Sequence, residues 1–80
     1  MSNAERILAI LSRVAQTDEV KDQPDLDLYE LAILDSLRTV ELMAAFSTEL
    51  GVEVSPAELE REEWATPAQI VRYIEARLGE

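Results

Sequence analysis

Apolar positions along the 80-residue chain fall into helical periods, and each period begins at a recognisable start signal. Ser2-Asn3-Ala4-Glu5 has the S-x-x-E form of a capping box, and Ala4, Ile7, Leu8, Leu11, Val14 and Ala15 then share one face at about 100° per residue. This predicts a first helix to about Thr17. A second helix starts at Asp35 or Ser36 and stops near Leu50, where Gly51 supplies the expected C-terminal residue. Ser55-Pro56-Ala57-Glu58 is a further capping box with Pro at the first helical position, and Val54 and Leu59 have the spacing of a hydrophobic staple. It predicts a short third helix, about Pro56 to Arg61. Thr66-Pro67-Ala68-Gln69 repeats the device and opens a fourth helix, with Ile70, Val71, Ile74 and Leu78 on one face before Gly79. No alternating strand pattern competes, and no internal repeat or low-complexity tract is present. The expected fold is all-α: a single 1–80 domain of four helices, the third short, with a long loop between the first two. That loop, from Asp18 to about Asp35, holds Pro24 in a polar turn and then Leu26, Leu28, Leu31, Ile33 and Leu34. Connections of this length are uncommon in compact domains and are often functional. The leucines are expected to pin it across the helices.

The second helix is the informative one, because its apolar residues do not fit one stripe. With Leu37 at zero and about 100° per residue, Thr39, Leu42, Met43, Phe46 and Leu50 cluster near 200°, the direction of a core-facing stripe. Leu37, Val40, Glu41, Ala44 and Thr48 cluster near 0°, on the other side. Either the long loop covers this second face, or Leu37 and Val40 stand exposed beside Glu41 as a contact site. An apolar centre with acidic neighbours suits a small, transient interface steered by charge.

Composition narrows the partners. Seventeen Asp and Glu against seven Lys and Arg give a formal charge of −10, which argues against nucleic acid and anionic membranes and favours basic protein surfaces. Asp18, Glu19, Asp22, Asp25, Asp27, Glu30 and Asp35 are opposed only by Lys21 between positions 18 and 35. Glu41, Glu49, Glu53, Glu58, Glu60, Glu62 and Glu63 are opposed only by Arg61 between 41 and 63. No stretch reaches eighteen apolar residues and the N-terminus lacks a signal pattern, so direct membrane insertion is not expected and a cytoplasmic location is. Without cysteine the chain has no thiolate of its own.

Candidate chemistry is sparse. Asp22, Asp25, Asp27 and Glu30 are carboxylate-rich, yet they lack the regular Asp ladder and sixth-position Gly of a calcium loop, so no metal site is expected. The chain has no His, which rules out a Ser-His-Asp arrangement at Ser36. A chain this small, burying only about 60% of its unfolded surface, leaves little room for a cleft that would tune paired carboxylates. Trp64 and Tyr73 are read as packing residues. An autonomous enzyme is not expected.

Asp35-Ser36-Leu37 opening the second helix of a small acidic four-helix chain resembles the acyl and peptidyl carrier proteins. The resemblance implies that the Ser36 hydroxyl is the attachment point for 4'-phosphopantetheine, installed from coenzyme A by a separate phosphopantetheinyl transferase. The physics agrees: a phosphodiester at a helix N-terminus meets free backbone N–H groups and the positive end of the helix dipole. Leu34-Asp35-Ser36-Leu37 with Thr39-Val40-Glu41-Leu42, and later Glu62-Glu63-Trp64-Ala65-Thr66 leading to Ile70, looks most like the D-alanyl carrier proteins of cell-wall D-alanylation. Those hold D-alanine as a thioester between an adenylating, D-alanine-activating ligase and a membrane acyltransferase. The implied roles are phosphopantetheine attachment at Ser36, positioning of the serine loop by Asp35, and docking by Leu37, Val40, Glu41 and Ala44.

Two departures stand out. Carriers commonly have Gly three or four residues before the serine, where this chain has Ala32 and Ile33, so a different loop backbone is open there. Arg38 brings a positive charge just after Ser36-Leu37; a local pair with Glu41 at i+3 is preferred over contact with the prosthetic phosphate. The alternatives are an acyl or peptidyl carrier of fatty-acid, polyketide or nonribosomal-peptide type and, from another class, an unmodified helical protein-interaction domain.

Overall fold

The computed structural model describes residues 2–55, 57 and 59–79, with Arg61 described in its backbone only. Helix α1 (Asn3–Ala15) starts at the expected N-cap, Ser2 Oγ accepting the Glu5 N–H at 3.1 Å, which is one half of the capping box. It stops two residues earlier than the apolar pattern suggests. Gln16 turns left-handed (φ 61°), and the N–H groups of Gln16 and Thr17 both close onto Ser12 O. This is the usual way a helix end consumes its free carbonyls.

The long connection is more structured than expected. Its first part winds into a one-turn helix, α2 (Glu19–Asp22), which buries Val20. The rest is bonded backbone to backbone across the molecule: Ala68 N–H donates to Pro24 O at 3.1 Å and Leu28 N–H to Ala65 O at 2.8 Å. Leu28 and Leu34 are buried, and Leu26 and Ile33 pack partly against them. Leu31 departs from the expectation: it is 56% exposed. The cause is the turn that follows, where Ala32 is left-handed (φ 59°). There the Ala32 N–H bonds Tyr29 O at 3.1 Å and the Ile33 N–H bonds Leu28 O at 2.8 Å. These are the two bonds of a Schellman motif. They turn the chain so that Leu34 re-enters the core while Leu31 points out.

Helix α3 (Ser36–Leu50) is capped by Asp35 and stopped by Gly51 at φ 69°, a backbone conformation that glycine adopts without the Cβ penalty. The expected third helix, Pro56 to Arg61, and its capping box fall partly outside the described residues, since Pro56 and Glu58 are not among them. Around them Leu59 and Glu60 are non-helical, and a single 3₁₀ turn follows at Arg61–Glu63. Val54 and Leu59 are half-buried against the core. Helix α4 (Pro67–Leu78) carries the full capping box: Thr66 Oγ1 accepts from Gln69 N–H, and Gln69 Oε1 accepts from Thr66 N–H, each at 3.2 Å.

Among the described residues there are four α-helices and no strand, arranged as the expected helical bundle. Helix α1 is the common partner, packing against α2, α3 and α4. Ile7 and Leu11 meet Val20, Leu42, Phe46, Ile70 and Ile74 in one core, with Leu28 and Leu34 entering from the loop. Trp64 is fully buried, edge-on to Phe46 (centroids 5.9 Å, 85°) and to Tyr73 (5.5 Å, 85°). The molecule measures 31 × 30 × 18 Å, and its short axis is under two helix diameters of roughly 10–12 Å each. A bundle that thin has surface grooves rather than an interior chamber.

Candidate functional site

The site is built from two adjoining elements, the Schellman turn at Ala32 and the first turn of α3. Asp35 is extended (φ −136°, ψ −172°), and its Oδ1 accepts the Arg38 N–H at 2.8 Å, while its carbonyl accepts the Thr39 N–H at 2.9 Å. It is thus the N-cap of α3. Ser36 is the first helical residue and is exposed. Its amide and that of Leu37 make no hydrogen bond among the described residues, as the first turn of a helix leaves them. A negatively charged oxygen on Ser36 Oγ would lie at the positive end of the α3 dipole beside two free donors. These residues therefore suit a phosphodiester.

The turn is braced from behind. Thr39 Oγ1 donates to Asp35 O at 2.7 Å and lies 2.8 Å from Tyr29 Oη. Since the threonine proton is used on the carbonyl, Tyr29 is the donor in the second bond. A tyrosine of the loop therefore ties the loop to Thr39, which in turn holds the carbonyl of the residue before Ser36. The pattern of the chain alone does not point to Tyr29, because nothing in a single sequence pairs a loop phenol with a helix threonine ten residues on.

Helix α3 buries one stripe and exposes the other. Leu42 and Phe46 are fully buried and Met43 nearly so, while Leu37 is 68% and Val40 52% exposed, with Glu41, Ala44 and Thr48 exposed beside them. The loop does not cover this face. Leu31 joins Leu37 and Val40 as the large apolar side chains left exposed among the described residues, one before Ser36 and two after it. Leu28, Leu31 and Leu34 recur every third position, which favours reading all three as buried; the left-handed turn breaks that register.

Arg38 is placed otherwise than expected. It forms no ion pair with Glu41; its guanidinium crosses to the end of α1 and donates to Ala15 O at 3.1 Å and, more weakly, to Val14 O at 3.5 Å. The two acidic stretches of the chain do meet in space, for Asp27 and Glu30 of the loop and Glu62 of the 3₁₀ turn line one surface groove with Tyr29 and Ala65. No group of three or more side chains placed to hold a metal ion occurs among the described residues.

Residues 5–74 match the family model described as the phosphopantetheine attachment site. The chain belongs to that family of carrier proteins, whose members carry a covalently attached 4'-phosphopantetheine. Such carriers work with a phosphopantetheinyl transferase and with acyl-handling enzymes, and the family is generally non-catalytic. None of the helices is long and apolar enough to cross a membrane, among the described residues.

Proposed function

We propose that Ser36 is the phosphopantetheine attachment point and that the chain, one carrier domain over 1–80, holds an aminoacyl thioester, D-alanyl in particular. The observation that carries the reading is the exposed Ser36 hydroxyl at the first position of α3, between an Asp35 cap and unbonded amides. In the transfer from coenzyme A, a bond forms between Ser36 Oγ and phosphorus. The bond to the departing adenosine bisphosphate breaks, and the hydroxyl proton passes to the transferase. The group supplies the thiol that the chain lacks. Asp35 holds the turn, and Leu37, Val40, Glu41 and Ala44 form the docking face, to which Leu31 is added. An apolar centre with acidic neighbours and little depth suits weak, reversible docking to basic partners. Tethering then makes delivery to each docked enzyme intramolecular. The place of work in this reading is cytoplasmic, and the assignment of an adenylating, D-alanine-activating ligase and a membrane acyltransferase of cell-wall D-alanylation as partners is supported by the Thr39-Val40-Glu41-Leu42 and Glu62-Glu63-Trp64-Ala65-Thr66 stretches.

Co-expression with a broad-specificity phosphopantetheinyl transferase followed by intact mass measurement tests the attachment. The unaltered chain is expected to gain one phosphopantetheinyl group and Ser36→Ala none; an equal gain on both would sink the assignment. Offering the modified chain to D-alanine-, L-amino-acid- and acyl-activating enzymes tests the cargo. Preferential loading with a fatty acyl group would replace the D-alanyl reading with that of an acyl carrier.

A further inference from the structure

The closing turn of α1 leaves three carbonyls over. Ser12 O takes both the Gln16 and the Thr17 N–H, so Arg13 O, Val14 O and Ala15 O have no donor from their own helix. Arg38 supplies one to the last two from α3. A cation in the first turn of a helix is poorly placed for that helix's own dipole, whose N-terminal end is already positive. The guanidinium of Arg38 resolves the conflict by lying at the C-terminal, negative end of α1. Its backbone, meanwhile, is held by Asp35, the residue before Ser36. One residue thus links the end of α1 to the turn that carries the serine.

We infer that Arg38 is a positioning residue for Ser36: by binding the α1 C-terminus it fixes the first turn of α3 in the orientation the transferase needs. The inference rests on Ser36 being the attachment point. It also assigns a role to the one basic residue within α3, whose guanidinium is engaged by the end of α1. A second tie between the same helices, the pair of Arg13 and Glu49, lies at the far end of α3 and provides the control.

The full chain is compared with Arg38→Met, Arg38→Lys and Arg13→Met, all in the unmodified form. Amide hydrogen exchange at residues 38–40 and the kcat and KM for transfer from coenzyme A are measured on each. Arg38→Met is expected to speed exchange at these amides about tenfold. It should also lower kcat roughly tenfold with little change in KM, as misplacement of a reacting group does. Arg38→Lys should recover part of both. Arg13→Met should lower the melting temperature while leaving exchange and kcat as they are. Unchanged exchange in Arg38→Met, a rise in KM alone, or equal effects from Arg13→Met would each overturn the inference. If the unaltered chain takes up no phosphopantetheine, it is the attachment reading that fails, and exchange at 38–40 still decides whether Arg38 holds the turn.

Discussion

Ala32 is where one residue's conformation bears most directly on the site. It occupies the left-handed position of the Schellman turn four residues before Ser36. An alanine there adopts a conformation that favours glycine and bears the strain of its Cβ. That strain is about 1–2 kcal/mol for an L-residue, partly offset because glycine gives up about 0.4–1 kcal/mol more entropy on folding. Ala32→Gly is expected to stabilise the chain by about 0.5 kcal/mol, raising the melting temperature by about 2–4 °C at this size. Ala32→Val should lower it. A thermal melt of the two variants checks both signs, and a fall with glycine would mean that the turn is not held left-handed in solution.

Among the elements, the junction of α1 and α2 carries a short side-chain hydrogen bond. Ser12, buried on α1, donates to the Asp18 carboxylate at 2.6 Å, just before α2 begins. This bond first, and Lys21 second, holds the Asp18 carboxyl below its ordinary value of 3.8. The folded state thus favours the ionised form, so the contact's contribution is fully present above the ordinary value and is lost as pH falls through the depressed one. Ser12→Ala is therefore expected to melt lower than the unaltered chain at pH 7, with the gap narrowing below about pH 4. A gap that stays constant down to pH 2 would show that Ser12 acts by packing alone. Arg38 likewise bonds between elements rather than within one: its spacing to Glu41 is right for a pair on one helix, but the free carbonyls of α1 are the stronger attraction. Those carbonyls are visible only once α1 is known to end at Ala15 and to lie across α3.

For the whole molecule, the controlling quantity is a charge of −10 on a body 31 × 30 × 18 Å. Unit charges at such separations are screened over about 10 Å at 0.1 M salt. With Asp27, Glu30 and Glu62 drawn into one groove, added NaCl is expected to raise the melting temperature, and Mg²⁺ to raise it further at equal ionic strength. Indifference to both salts would place the acids too far apart to matter. The same field is what a basic partner would meet on approach.

Much of this was legible in the chain. The caps at Ser2, Asp35 and Thr66, the stop at Gly51 and the two faces of α3 follow from local chemistry, because N-caps, left-handed stops and 3.6-residue stripes are short-range effects. The candidate serine was legible for the same reason, since a helix start is written in four or five consecutive residues. What only the tertiary structure decided lies in contacts between segments distant in sequence. The guanidinium of Arg38 on α1, Tyr29 against Thr39, the outward turn of Leu31, the winding of α2 and the open second face of α3 all depend on which free donors, acceptors and apolar surfaces meet after folding. A single sequence lists those groups without saying which will be neighbours.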